Sequence, residues 1–579
     1  MAGRTTVSTR LILLTLILFG FNSSARAGEE VFTSRHLLRI HSVGSALISP
    51  DGSHIAYTRF IPRDPYRARG KQEPEFEDGG SRTELHLMHL ADDVSIPFIG
   101  RYAPFSGVAW TPDGEGLSFL AKRGKDKHKS LYVISLHGGE ARRILAHETD
   151  IAGYDWSPDG RHVAFLSREK APKQRDKMKK MGLAAEIFEE QLLFTRLWIA
   201  DFENGDAEPR MLELEGDVSE LHWSPAGDRI VIALAPTPLI DDHYMKRKIH
   251  VVDVKSGQVV AIIGNPGKLG PVAWSPDGKN LAIISADDLN DPSPGRLAVC
   301  PAAGGPPRDL IPDYEGHVRS IAWQDADTIL YVADEGCDTV FGKVNIDGSG
   351  RKTIVPAGGP ILTSLSVSKD GLHSAFVGNT TTHSREVYFM KHGDAAPRRM
   401  TDSNPWFADM RFAKQEIVNY KARDGLELQG ILIHPLDEEP SKRYPLIVTV
   451  HGGPEANEHN GWQTRYSKGG QIAAAKGFAV FYPNYRGSTG RGVAFSKLDQ
   501  ADYAAGEFND IVDGVNHLVE RGLVDKDHVG VTGGSYGGFA AAWCATALTE
   551  HFAASVMFVG ISDHVSKFGT TDIPNEMFL

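Results

Sequence analysis

Cysteine is scarce in this chain: Cys300, Cys337 and Cys544 are the only 3 in 579 residues. A disulfide framework is therefore excluded as the scaffold. Cys300 and Cys337 could pair if neighbouring structural units bring them together, or stand as two unpaired small residues, and Cys544 lies in an Ala-rich apolar stretch and reads as core. Basic charge is also short, with 62 Lys+Arg against 74 Asp+Glu and a formal charge of −12. The basic stripe expected of a nucleic-acid binder is absent, and acidity of this kind serves solubility. The zinc-protease pattern H-E-x-x-H, paired C-x-x-C and the phosphate loop G-x-x-x-x-G-K-[ST] do not occur. Nothing in the sequence calls for a metal or a cofactor.

Long apolar runs are missing after the first 27 residues. Within them, Arg4 and Arg10 precede the run Leu11–Phe21, and Ala25-Arg26-Ala27 supplies a small-x-small site. That is the pattern of a secretory signal peptide. A membrane anchor is the alternative, but the run falls short of the roughly 20 residues that span a bilayer. Cleavage after Ala27 is expected, giving an exported protein, periplasmic or secreted, with no membrane association afterwards.

The chain is internally self-similar. The segments "LISPDGSHIAYTRF", "AWTPDGEGLSFLAKR", "DWSPDGRHVAFLSRE", "HWSPAGDRIVIALAP" and "AWSPDGKNLAIISAD" begin at Leu47, Ala109, Asp155, His222 and Ala273, and two degenerate copies, "AWQDADTILYVADE" and "SVSKDGLHSAFVGNT", begin at Ala322 and Ser366. Each reads as strand, Pro-Asp-Gly turn or its relic, and strand. Pro presets the first turn angle, Asp bonds its local backbone, and Gly accepts positive φ. The copies are 62, 46, 67, 51, 49 and 44 residues apart, near the ~40 to 50 of a four-stranded propeller blade. A seven-bladed β-propeller over residues 28–410 is expected, following the signal peptide at 1–27. Trp110, Trp156, Trp223, Trp274 and Trp323 should pack blade on blade. The polar insertions Arg63–Gly80 and Arg168–Gln191 should lie outside the blade cores.

From about residue 411 the punctuation changes. Short Val-, Ile- and Phe-rich strands alternate with helical stretches, which predicts a mostly parallel α/β sheet over 411–579. Active groups in such sheets gather beyond the carboxyl ends of the strands. Gly533-Gly534-Ser535-Tyr536-Gly537 matches G-x-S-x-G between a predicted strand and a predicted helix, the context of a nucleophile elbow. Side chains at Gly533 and Gly537 would collide with the neighbouring strand and helix. The main-chain N–H of Tyr536, at the positive end of the helix, faces the point where an oxyanion develops. A second donor, the N–H of Gly453, is expected from "HGGP" at His451–Pro454. His451 lies in that loop, not opposite it, and is not expected to be the base.

The "WSPDG" units, "HGGP", "PNYRGSTG" at Pro483–Gly490 and "GGSYGGF" together resemble the prolyl oligopeptidase superfamily of serine peptidases. Within it the chain is most similar to the acylaminoacyl-peptidase and dipeptidyl-aminopeptidase branch. The resemblance implies TolB-like propeller repeats, an α/β-hydrolase domain, a Ser-Asp-His triad in that chain order, short peptides as substrates, and a propeller that excludes folded proteins. It makes Ser535 the nucleophile and Tyr536 and Gly453 the oxyanion donors. Some relatives have a tyrosine at His451, so its hydroxyl is absent here. The triad acid and base in this fold follow two further strands, whereas only 44 residues follow Ser535. Asp563 and His564 are adjacent and diverge, Asp572 has no histidine after it, and His517, His528 and His551 read as surface residues. The expectation is an incomplete hydrolase domain: a fragment or prematurely ended chain that lacks its triad Asp and His, nearly inactive, with an apolar strand left at an open sheet edge.

For substrate, the resemblance places Val565 and Phe568 near the wall of the pocket for the residue before the scissile bond. Glu189-Glu190 could capture a free amino terminus, as paired glutamates do in dipeptidyl-peptidase relatives, or form a solvated helix face. A non-peptidase ester hydrolase and a catalytically decayed propeller binding protein are the competing readings.

Overall fold

The computed structural model describes residues 30–63, 80–100, 104–187, 189–202 and 208–578. The expected signal peptide and most of the Arg63–Gly80 insertion lie outside the described residues. Seven antiparallel sheets follow one another along the chain, spanning residues 42–99, 105–145, 151–211, 217–263, 269–309, 317–355 and 361–399. Six have four strands, and the last has five because its first strand is split into Ile361–Leu362 and Ser366–Val367. This is a seven-bladed propeller, and each repeated segment forms the first hairpin of one blade.

The repeat residues do what their chemistry allows. In the turns, Ser49, Ser157 and Ser275 donate their hydroxyls to Asp51, Asp159 and Asp277 at 2.6, 2.6 and 2.7 Å, and Gly52, Gly160 and Gly278 hold φ near +71 to +72°. The tryptophans link blades in series. The indole N–H of Trp110 donates to Leu47 O, Trp223 to Asp155 O, Trp274 to His222 O and Trp323 to Ala273 O at 3.0–3.1 Å, and Trp156 donates to Ser118 Oγ at 3.0 Å. Every acceptor belongs to the preceding blade. Between blade seven and blade one no tryptophan among the described residues spans the seam; Ile48 N donates to Ser366 Oγ at 3.1 Å and Lys369 N to Pro50 O at 3.0 Å, and Val43, Ile48 and Tyr57 share a core with Ala375, Val387 and Phe389.

The Arg168–Gln191 insertion carries a helix, Lys173–Lys180, with no buried residue. Cys300 and Cys337 are both free and buried, so the open question of their pairing resolves against a disulfide. Cys300 packs in the core shared by blades four and five, whereas Cys337 lies where blade six meets the second sheet, 3.3 Å from Asn484 Nδ2.

The second sheet has six strands: β1 (Gln415–Lys421), β2 (Glu427–Ile433), β3 (Tyr444–Val450), β4 (Ala479–Asn484), β5 (Val524–Gly534) and β6 (Ala554–Phe558). Their order is β1-β2-β4-β3-β5-β6. The pairs β3–β4, β3–β5 and β5–β6 are parallel, and β1–β2 and β2–β4 antiparallel. Helices α1 (Gly470–Ala474), α2 (Gly506–Glu520) and α3 (Tyr536–Thr546) connect them. The face of α2 made by Phe508, Ile511, Val515 and Leu518 joins Val448, Phe481, Val531 and Tyr536 in the main core. β6 pairs only with β5 among the described residues, and its Val556 and Phe558 are 63% and 45% exposed.

The N-terminal segment, expected to belong with the propeller, packs at the junction instead. Glu30 N donates to Asp409 O at 3.1 Å, Arg411 N returns to Glu30 O at 2.8 Å, and Phe32 is buried among Trp406, Phe407, Phe412 and Trp462. Blades six and seven meet the hydrolase loops through Gly336 N to Gly490 O at 2.7 Å and Trp462 N to Asn379 Oδ1 at 2.7 Å.

Candidate active site

β5 ends at Gly534 and α3 starts at Tyr536, so Ser535 alone makes the turn between them. Its backbone sits at φ 57° and ψ −121°, a region that non-glycine residues enter only when the surroundings enforce it. The enforcement is visible. Ser535 N donates to Phe558 O of β6 at 3.2 Å, and Ser535 O accepts from Gly538 N and Phe539 N at 2.9 and 3.1 Å. A Cβ on Gly533 would lie 2.6 Å from Val450 O, and one on Gly537 would penetrate the same carbonyl, as the sequence predicts. Gly538 shares this constraint: a Cβ there would come within 2.6 Å of Gly560 Cα and 2.7 Å of Phe558 O. The second glycine of "GGF" is thus a packing requirement that the G-x-S-x-G pattern does not include.

The "HGGP" loop follows β3 directly and lies against the elbow. The Gly452 Cβ position is 3.2 Å from Ser535 Cβ and 3.6 Å from Tyr536 N, so this glycine makes the close approach and Gly453, at φ 129°, turns the chain away after it. Tyr536 N heads a helix, where main-chain donors lack intrahelical acceptors. The Tyr536 side chain is buried, and its hydroxyl donates to Glu507 Oε1 at 2.9 Å.

The role of "PNYRGSTG" becomes clear only in three dimensions. Asn484 Oδ1 accepts from Glu458 N at 2.7 Å, Tyr485 Oη lies 3.1 Å from His451 O, Arg486 forks onto Asp510 at 2.7 and 2.9 Å, and Ser488 Oγ lies 2.9 Å from His451 Nε2. The motif is the brace for the "HGGP" loop. His451 itself is buried, stacked on Tyr485 at 4.3 Å, and held below its ordinary pKa by desolvation. Both ring nitrogens are occupied, Nδ1 by Gly452 O at 2.9 Å and Nε2 by Ser488. It is a structural residue and not a base.

The remaining histidines do not reach the serine. His564 opens the short helix His564–Phe568, stacks on Tyr503 at 5.5 Å and meets Phe539 edge-on at 4.6 Å. Asp563 caps that helix by accepting from Ser566 N at 2.6 Å. His528 pairs with Asp525 and His551 with Glu550 at the surface, and His517 lies beside the Tyr420 ring. Among the described residues no histidine is hydrogen-bonded to Ser535, whose side chain is exposed.

A cavity of about 1110 Å³ lies between the two domains and reaches Gly533 and Gly534, which immediately precede Ser535. Val556, Phe558, Trp462 and Tyr466 contribute apolar lining on the hydrolase side, and Leu37, Phe60 and Ile361 on the other. Val565 and Phe568 are not among its walls. They are 85% and 49% exposed on the His564–Phe568 helix. Glu189 and Glu190 lie beyond the end of the Lys173–Lys180 helix, in an exposed turn with Glu189 at φ 63°, and also outside the lining.

A strained serine elbow on an α/β sheet, beneath a seven-bladed propeller with a cavity between, defines a propeller-capped hydrolase. Residues 464–578 match the profile of the prolyl oligopeptidase family, a family of peptidases. The uncharacterized peptidase YuxL of Bacillus subtilis is 26% identical over 94% of this chain and 84% of its own length. Dipeptidyl-peptidase 5 of Porphyromonas gingivalis is 26% identical over 61% of this chain, and the match spans 52% of that relative. Dipeptidyl aminopeptidase BIII of Pseudoxanthomonas mexicana is 38% identical over 25% of this chain and 22% of its own. Among solved structures, a Pyrococcus horikoshii acylaminoacyl peptidase superposes with a TM-score of 0.75 at 19% identity, covering 94% of this chain and 81% of that one. By resemblance the chain is a serine peptidase.

Proposed function

We propose that this chain is built to cleave short peptides through an acyl-enzyme on Ser535, with the main-chain N–H groups of Tyr536 and Gly453 holding the oxyanion. The observation that carries this reading is the exposed Ser535 at φ 57°, a costly conformation that persists where function uses it. Attack joins Oγ to the carbonyl carbon, the serine proton leaves with a base, and the amine departs with a proton returned to it. Losing either oxyanion donor would raise the barrier by about 2.7–4 kcal/mol. The dipeptidyl-peptidase and acylaminoacyl-peptidase names of the relatives support short peptides as substrates. Export after cleavage at Ala27 accompanies this reading and is tested by sequencing the amino terminus of the secreted form.

Because no described histidine bonds to Ser535, we expect this form to acylate slowly. Mass spectrometry of the full chain after treatment with a fluorophosphonate tests both parts. Ser535 should be the modified residue, Ser535→Ala should stay unlabelled, and the rate should fall well below that of a relative with a complete triad. Labelling elsewhere would sink the nucleophile assignment, and labelling at a relative's full rate would sink the expectation of low activity. The same observation, that no described histidine bonds to Ser535, favours a second reading, a propeller binding protein with a silent hydrolase domain, which predicts peptide binding without any labelling.

A further inference from the structure

The interdomain cavity carries an unbalanced charge. Its charged walls are Arg319, Arg385, Arg465, Lys468 and Glu458. Two of the four cations are already neutralised. Arg319 pairs with the fully buried Asp334 at 2.7 Å, and Lys468 is locked to Glu458, which also accepts from Gln463 Nε2 at 3.1 Å. Arg385 and Arg465 remain, and among the described residues neither guanidinium makes a salt bridge to a carboxylate; Glu458, held by Lys468, feels the charge of Arg465 without bonding to it. They come from different domains: Arg385 lies on the blade-seven strand His383–Lys391, and Arg465 in the tight loop closed by reciprocal Arg465–Lys468 main-chain bonds of 3.1 and 2.9 Å.

The two guanidinia also act on each other. Arg385 is held below its ordinary pKa by desolvation and by the charge of Arg465, although its side chain is open to the cavity. In a chain whose net charge is −12, placing two arginines without salt-bridge partners beside a single carboxylate that Lys468 already holds leaves the concavity net positive, and like charges brought together are costly unless a further anion completes the set. Arginine suits a carboxylate in particular, because its planar fork presents parallel donors to both oxygens.

We propose that Arg385 and Arg465 form a carboxylate-binding site in the interdomain cavity, which selects short peptides bearing a carboxylate, either the free carboxyl terminus or an acidic side chain. The assignment deepens the peptidase reading and rests on it for the statement that the ligand is a substrate. The site spans both domains, so a bound carboxylate would also bridge blade seven to the loop after β3.

Calorimetric titration of the full chain carrying Ser535→Ala, which prevents turnover, tests this with three probes: Ala-Ala-Phe as the free acid, Ala-Ala-Phe amide and Ala-Glu-Phe amide. The free acid or the glutamyl amide should bind at least about tenfold more tightly than the uncharged amide, the scale of one hydrogen bond to a charged group. The margin should shrink as salt is raised. Which probe gains identifies the source of the carboxylate. Arg385→Gln with Arg465→Gln should bind all three alike, and because neither arginine has a described partner, the melting temperature should hold. Equal affinity for all three probes in the parent protein, weak or strong, overturns the site without recourse to any variant. Fluorophosphonate labelling is read separately: a carboxylate preference without labelling leaves the site and removes the peptidase reading, and labelling without a preference does the reverse.

Discussion

Tyr536 Oη donates a 2.9 Å hydrogen bond to Glu507 Oε1, tying the first residue of α3 to the first turn of α2. Both side chains are buried, and Glu507 also accepts from the main-chain N–H groups of Ala504 and Ala505. The residue that follows Ser535 is thus positioned by a carboxylate 28 residues upstream of that serine. Glu507→Ala should cost about 3 kcal/mol or more, since three donors lose their acceptor at ~1–3 kcal/mol each where they stay buried. Glu507→Gln keeps one oxygen acceptor and should cost less. Urea unfolding of the two variants checks this, and equal losses would contradict it.

The elbow should be intolerant of a single methyl group at particular positions. Gly537→Ala and Gly538→Ala drive a Cβ into main-chain atoms of Val450, Phe558 and Gly560, whereas Gly534→Ala meets only the movable Phe558 ring at 3.3 Å. The first two should lose stability at the upper end of ~1–3 kcal/mol together with fluorophosphonate reactivity. Gly534→Ala should lose little, and a larger loss at Gly534 than at Gly537 would refute the packing account.

Asp499 makes stability depend on pH in a calculable direction. It is fully buried, both carboxylate oxygens lack a hydrogen-bond partner, and desolvation, then Glu507, Asp291 and Asp510, push its pKa up to about 8 from 3.8. The folded chain therefore keeps a proton that the unfolded chain releases. Its contribution is full below pH 3.8 and is lost as pH rises toward about 8. Asp499→Asn cannot ionise, so between pH 5 and pH 8 its melting temperature should fall less than the parent's; parallel curves would show that Asp499 is not the group responsible.

All three cysteines are free and buried, and burial pushes each thiol up to about 12. The native protein should resist a thiol-specific disulfide reagent and expose three reactive thiols only in denaturant. A count of one in denaturant would mean that Cys300 and Cys337 are paired after all.

Much of this architecture is legible without coordinates because it repeats or because one residue type alone will serve. Pro-Asp-Gly turns recur seven times in whole or relic form, and the tryptophan before each of five turns proves to be the inter-blade donor. Gly533 and Gly537 are readable because no side chain fits beside Val450. Glu507, Asp499 and the "PNYRGSTG" brace are not readable in the same way. Their partners lie 10 to 40 residues away, and a carboxylate on an amphipathic helix looks solvated until the neighbouring helix covers it. Val565, Phe568, Glu189 and Glu190 stand outside the cavity lining, since sequence position relative to a strand does not say which way a short helix or an insertion turns.

By itself the sequence determined the propeller, the α/β sheet, the serine elbow and the glycines around it, because local geometry at those positions excludes other residues. Only the tertiary structure decided that Cys300 and Cys337 stay apart, that His451 is locked by Tyr485 and Ser488, and that two arginines from different domains share one cavity without a salt bridge to a carboxylate. Each of those facts depends on which distant segments come into contact, and burial or the absence of a partner is a property of that contact and not of the residue.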